Sequence, residues 1–232
     1  MKKIFKIFFM IFVGLRYKKR FAQVFFNRSI TLKEGYRELS HLRQQYSLEI
    51  LKYLNLKIDT VGDFPKTNRV LYIINHRSLL DILVMESLFG KYSKNGTWIA
   101  KEELFSNLIY GKFFKYSGSI SVDIENKKGL LKFFKEIKNL FNKIDDFNLF
   151  MFPEGERNTT PEILEFQNGA LKIAKANKLR VIPVFIKDNL KDIFENAPFE
   201  EIKSIEVYIG DEIVDIENME KQYRNFVKDI KR

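Results

Sequence analysis

The sequence predicts an α/β protein: a three-layer body with a mixed central sheet flanked by helices, preceded by an N-terminal membrane-associated helical segment. Three observations carry this. From residue 70 onward, short apolar runs of strand length alternate with longer stretches of helical periodicity. At 232 residues the chain suits one domain with an appendage. The first 55 residues read as helical and join a strongly apolar run to a cluster of cations. Residues 1–55 are therefore assigned to basic, apolar anchoring helices and residues 56–232 to the body.

The elements follow in order. Over 35–56, Leu39, Leu42, Tyr46, Ile50, Tyr53 and Leu54 recur at helical spacing. Residues 59–68 carry Gly62, Pro65 and Asn68 and read as a turn-rich entry to the body. Val70-Leu71-Tyr72-Ile73-Ile74 is a buried-strand pattern ending at Asn75-His76. Ser78 reads as the N-cap of a helix that runs through Asp81 to Met85. Residues 98–100 form a strand, 104–116 one helix and 119–122 a strand. Residues 129–143 form an amphipathic helix with Leu130, Phe133, Phe134, Ile137 and Phe141 on one side. A strand over 147–152 stops at Pro153, followed by a helix over 168–177, strands over 181–186 and 205–209, and a closing helix over 217–231.

Composition narrows the function classes. Cysteine is absent and histidine occurs twice, which removes disulfides and thiolate metal sites and leaves no His-rich metal site. Of the net charge of +10, residues 1–43 hold eleven Lys/Arg against two acids, or +9, leaving +1 for the rest. A near-neutral body argues against a nucleic-acid-binding domain. The nine-residue apolar run from Ile7 to Leu15 is too short to span a bilayer, which takes about 20 residues. No small-x-small cleavage site precedes the Arg16-to-Arg20 cations, so a signal peptide fits poorly. An anchor lying in the interface, its cations at an anionic membrane surface, fits best.

The chemistry concentrates in two segments, Asn75-His76-Arg77-Ser78-Leu79-Leu80-Asp81 and Phe152-Pro153-Glu154-Gly155-Glu156-Arg157. An imidazole takes a proton from a hydroxyl near neutral pH, and a nearby carboxylate fixes its tautomer. His76 and Asp81 would lie about 140° apart on one continuous helix, so their meeting requires a strand–loop–helix break between them. Asp81 has a plainer reading as well: Ser78-x-x-Asp81 matches a capping box. Pro153 and Gly155 shape a turn that would bring Arg157 to the same sheet edge, where its guanidinium could grip an anion bidentately. The plainer reading of that turn is a surface loop with a solvated arginine.

Taken jointly, these residues resemble the glycerolipid acyltransferase family that includes 1-acyl-glycerol-3-phosphate acyltransferases. The resemblance rests on an Asn-His-x4-Asp block and a Phe-Pro-Glu-Gly-x-Arg block. Two weaker blocks support it: Lys101-x-Glu103-Leu104 with Gly118-Ser119-Ile120, and Val181-Ile182-Pro183-Val184. It implies His76 as general base on a lysolipid hydroxyl and Asp81 as its orienting partner. Glu154, Gly155 and Arg157 correspond to the acceptor head-group site. The acyl donor is a thioester of acyl carrier protein or CoA, attacked directly, with no metal or bound cofactor. The expected location is the membrane, at the cytoplasmic face of the inner (plasma) membrane.

The departures fall on the phosphate pocket. Ile124 stands where the family usually has Arg, Glu156 where it has Ser or Thr, and Gln167 where it often has Lys. Lys127, Lys128 or Lys172 could compensate. Lysophosphatidic acid is the first expectation for the acceptor; a less anionic or amine-bearing lysolipid is the alternative. A non-catalytic peripheral membrane protein on the same fold is a rival that intact His76 and Asp81 disfavour. A Ser78 hydrolase would need a Gly-x-Ser-x-Gly elbow, which is absent.

Overall fold

The computed structural model describes residues 2–123, 126–158 and 160–231, and for Lys2, Lys3 and Lys127 the backbone alone. Ile124 and the Lys127 side chain, on which part of the acceptor argument turns, lie outside the described residues. Seven strands form one sheet in the order β1-β7-β6-β2-β5-β3-β4. They are β1 Leu56–Val61, β2 Val70–Ile74, β3 Gly96–Lys101, β4 Ile120–Val122, β5 Asn148–Met151, β6 Arg180–Ile186 and β7 Lys203–Ile209. Neighbours are parallel except β6 and β7, so the sheet is mixed. The helices are α1 Lys2–Phe25, α2 Leu32–Tyr53, α3 Leu80–Lys91, α4 Glu102–Ser106, α5 Gly111–Tyr116, α6 Lys127–Lys143, α7 Gly169–Asn177, α8 Leu190–Asn196 and α9 Met219–Ile230.

Strand alternation builds the layers. In β2, Val70, Tyr72 and Ile74 enter a core shared with α1, α2, α3 and α8, whereas Leu71 and Ile73 enter one shared with α6, α7 and α9. Burial on both faces is why β2 reads as an unbroken apolar run. α2 is fixed at its start by a capping box in which the Thr31 hydroxyl accepts from the Glu34 amide and Glu34 reaches back to the Thr31 amide. Its Leu39, Leu42, Ile50 and Leu51 belong to the same core as β2. Outside α2 lies α1, with Val13, Tyr17 and Phe21 turned inward and Ile4, Phe8, Ile11 and Leu15 exposed. Lys6 fastens its start: the buried ammonium donates to the carbonyls of Phe194 and Ala197 at the C-terminus of α8.

Several local expectations are corrected. The helix over 35–56 stops at Tyr53, and residues 56–61, read as part of a helix end and a turn-rich entry, form edge strand β1 after Asn55 turns the chain with φ 58°. The helix expected over 104–116 is two short helices. The Asn107 side chain accepts from the amides of Ile109 and Tyr110 and breaks the run. Residues 190–196, unassigned from sequence, form α8. Ser78 is not the N-cap of α3. The helix starts at Leu80, Leu79 stands at the cap, and the Ser78 hydroxyl accepts from the Leu80 amide.

Candidate active site

β2, β5 and β3 run parallel and deliver His76, the turn after Phe152, and Lys101 to one edge of the sheet, the C-terminal edge where open α/β sheets place their sites. Asn75 makes that edge rigid. Its amide donates to the Ile186 carbonyl at 3.0 Å and accepts from the Ile186 amide at 2.8 Å, extending the β2–β6 pairing one residue past the strand.

The chain then bends, and Asp81 at the start of α3 folds back on it. Its Oδ2 accepts from His76 Nδ1 at 2.8 Å, from the Arg77 amide at 2.6 Å and from the Ser78 amide at 2.8 Å. The bond to the Ser78 amide is the half of a capping box that Ser78-x-x-Asp81 promised. One carboxylate thus shapes the turn and holds the imidazole. Asp81 is 2% exposed and His76 12%, so the carboxylate is shielded while the ring reaches solvent. A carboxylate acceptor at Nδ1 puts the proton there and leaves Nε2 with its lone pair. Among the described residues, Nε2 has no hydrogen-bond partner.

The imidazole lies flat on the Phe152 ring, with centroids 3.8 Å apart and planes 8° apart. Phe152 in turn stacks on Trp98 at 5.0 Å. The indole donates to Glu86 Oε1 at 2.8 Å, and the same oxygen accepts from Arg43 Nε at 2.6 Å. Arg43 comes from α2 and also donates to the carbonyls of Ser117 and Gly96. Trp98, Glu86 and Arg43 are contributed from three distant stretches, and only their being buried polar neighbours would have flagged them.

The turn after β5 divides its residues between two tasks. Glu154 is buried and points inward. Its carboxylate accepts from the His76 amide at 2.9 Å, the Leu164 amide at 2.8 Å and the Asn158 side-chain amide at 3.3 Å. The Asn158 amide closes the loop by donating to the His76 carbonyl at 2.7 Å. Gly155 has φ 73°, and a Cβ there would stand 2.8 Å from Gln167 Cγ and 3.7 Å from Lys101 Cε. Gln167 and Lys101 therefore both border the turn. Glu156 and Arg157 are exposed, and neither makes an ion pair or hydrogen bond among the described residues. Lys101, quoted for its motif rather than as a site residue, is the cation that lies against Gly155. Lys128 is exposed at the start of α6.

Behind the turn, Tyr223 of α9 is buried and donates to the Val184 carbonyl at 2.8 Å. Burial, with the Glu154 carboxylate close by, pushes its phenol well above the ordinary tyrosine range. Among the described residues, no group of three or more His, Asp or Glu side chains is placed to hold a metal ion.

A family model described as Acyltransferase matches residues 55–187, more than half of the chain. A 1-acyl-sn-glycerol-3-phosphate acyltransferase of Helicobacter pylori is 35% identical over 151 residues, covering 64% of this chain and 60% of that protein. One from Cocos nucifera is 30% identical over 125 residues, covering 54% of this chain and 39% of that protein. The match thus spans less than two thirds of either relative's length. The crystal structure of the 1-acyl-sn-glycerophosphate acyltransferase PlsC from Thermotoga maritima superposes with a TM-score of 0.65 at 18% identity, covering 98% of this chain and 96% of that one. At that identity it speaks for the fold, and it does so over nearly the whole length. Family model, relatives and fold agree: the chain belongs to the acyltransferase family.

Proposed function

We propose that the protein is a membrane-associated O-acyltransferase that moves a fatty acyl group from a thioester to a lysolipid hydroxyl, with 1-acylglycerol-3-phosphate as the first-choice acceptor and phosphatidic acid as the product. The observation that carries this is the His76–Asp81 pair, held at 2.8 Å through Nδ1, which leaves Nε2 for the acceptor hydroxyl. His76 Nε2 takes the proton of the acceptor hydroxyl as its oxygen attacks the thioester carbonyl. The imidazolium is stabilised by Asp81. The tetrahedral adduct collapses, the C–S bond breaks, and the departing thiolate receives the proton from His76. No acyl-enzyme forms, and the chemistry asks for no metal or bound cofactor. The donor is acyl-ACP or acyl-CoA.

Arg157 on the turn beside His76 and Lys101 at the end of β3, which borders that turn, are two cations that suit a phosphomonoester of charge about −1.5 to −2. Glu156, exposed next to Arg157, supports a second reading in which the acceptor is less anionic or carries an amine. The apolar outer side of α1 supports attachment lying in a membrane interface, and the cytoplasmic face of the inner membrane is the location we propose. Among the described residues no helix is long and apolar enough to cross a bilayer.

The test is acyl transfer by purified wild type beside His76→Ala, over a panel of lysolipids with both donors. Loss of a general base should lower kcat by about 10²–10⁴-fold. Undiminished turnover by His76→Ala would refute the mechanism, and the preferred lysolipid decides between the two acceptors.

A further inference from the structure

The 107–110 loop between α4 and α5 carries Leu108, at 98% the most exposed large apolar side chain of the described residues, and beside it Ile109 at 84%, a value that only the isolated Val214 equals among them. No described residue covers them. The loop is nevertheless well ordered internally. Asn107 Oδ1 accepts from the Ile109 amide at 2.9 Å and the Tyr110 amide at 3.3 Å, and the Asn107 carbonyl accepts from the Gly111 amide at 2.9 Å. Pairing the Ile109 and Tyr110 amides within the loop lowers the cost of taking the tip out of water, because each unsatisfied amide in hydrocarbon is costly.

The loop shares its support with α1. Phe113 of α5 meets Phe21 edge-on at 5.3 Å, and Tyr116 packs against Phe25 and Phe26 at 5.4 and 5.2 Å. The charges around it have one sign. Residues 1–33 and 104–122 contain no carboxylate, and Lys112 and Lys115 follow the tip directly, both exposed. The nearest acids in sequence, Glu102 and Glu103, open α4 on the side of the sheet edge. Two exposed side chains offer at most a few hundred Å², short of the roughly 1,000 Å² that a specific protein interface needs. Insertion into acyl chains needs no complementary partner, and flanking lysines match an anionic head-group layer.

We propose that the 107–110 loop is a second lipid-contact element, which inserts Leu108 and Ile109 into an anionic bilayer beside the site. This rests on the membrane reading of α1 and deepens it. One anchor helix can roll about its axis on the surface; a second contact, off that axis, fixes the roll. Seven residues separate Lys101 from Leu108, so the tip lies within about 25 Å of the residue that borders Gly155. Contact there sets the sheet edge that bears His76 at the surface where a lysolipid resides.

Two probes, each adding one tryptophan, test this in the full chain, Ile109→Trp on the loop and Phe8→Trp on α1, each read above the buried Trp98. With phosphatidylglycerol-rich vesicles carrying brominated acyl chains, emission from both should shift to the blue and be quenched. Leu108→Ser/Ile109→Ser should keep its thermal midpoint and partition at least about tenfold more weakly into these vesicles. It should turn over a short-chain, water-soluble lysolipid normally but lose activity on acceptor embedded in vesicles. Quenching at Phe8→Trp without quenching at Ile109→Trp would overturn the loop proposal and leave the α1 reading standing. Failure of both probes to meet lipid would overturn both readings. Loss of turnover on the soluble acceptor would also overturn it, because the loop would then serve the fold or the chemistry.

Discussion

Glu154→Gln separates two roles that the motif cannot distinguish. By resemblance, Glu154 belongs to the acceptor head-group site. By geometry, its carboxylate receives three N–H donors from the protein, two of them backbone amides. Glutamine keeps one acceptor oxygen and turns the other position into an NH₂ that faces a donor. A charge-assisted hydrogen bond is lost, at about 1.5–3 kcal/mol, and a buried N–H is left unpaired at about 1 kcal/mol or more. The expected destabilisation is therefore about 3 kcal/mol, a large part of the 5–15 kcal/mol that typically holds a domain together. The thermal midpoint should fall by about 6–12 °C. Since one of those donors is the His76 amide, kcat should fall in detergent-solubilised variant that is still folded, while KM for the acceptor changes little. Urea unfolding and steady-state acyl transfer read the two effects separately. A variant with wild-type stability and a raised acceptor KM would refute the clamp and return Glu154 to the head group.

Arg157→Ala should leave the thermal midpoint unchanged, since the side chain is exposed and has no partner among the described residues. It should cut kcat/KM for lysophosphatidic acid by about 10–150-fold, the equivalent of one charge-assisted contact of about 1.5–3 kcal/mol; an equal loss with an uncharged acceptor would argue against phosphate recognition. Arg43→Met strands the Glu86 carboxylate in the core and should destabilise by about 3–5 kcal/mol, measured by urea unfolding. A Glu86→Gln partner change should recover part of that, and no recovery would mean the pair is not coupled. In alkali, burial holds the phenols of Tyr72 and Tyr223 above their ordinary range. Because their folded pKa is raised, their stabilisation is complete below the unfolded value of about 10 and is lost as pH rises above it. Each tyrosine contributes a slope of about 1.4 kcal/mol per pH unit there. Tyrosinate absorbance from these rings should appear only together with loss of secondary structure; its appearance in the folded protein would contradict their burial.

The parts of the fold that were readable in the sequence are those whose signal is local and repeated. β2 is apolar at every position because both its faces are covered, and α6 shows a clean stripe because one side is wet. β1 was hidden because it is a half-buried edge strand that pairs only with β7, nearly 150 residues later, and its apolar residues continue the rhythm of α2. Asn55 at positive φ was the available sign of the break. The 104–116 stretch has helical composition throughout, and one side chain, Asn107, decides otherwise. In the site, His76 and Asp81 were legible because they lie within one turn of chain. The inward aim of Glu154 was not, since its donors at His76 and Leu164 come together only through the sheet. Trp98, Arg43 and Tyr223 carry no local sequence signature, and their partners at Glu86, Gly96, Ser117 and Val184 come together only in the fold.

The line of contacts from Arg43 through Glu86 and Trp98 to Phe152 and His76 bears on how such proteins can be recombined. A hybrid that borrows the first 55 residues from a relative would replace Arg43 while keeping Glu86, and would have to find a new counter-ion for a buried carboxylate that reaches His76 through Trp98 and Phe152. A splice in the 26–31 turn avoids this. It exchanges α1, with its exposed apolar side, and leaves the arginine with the sheet it serves, so the proposed membrane attachment and acyl transfer can be varied independently.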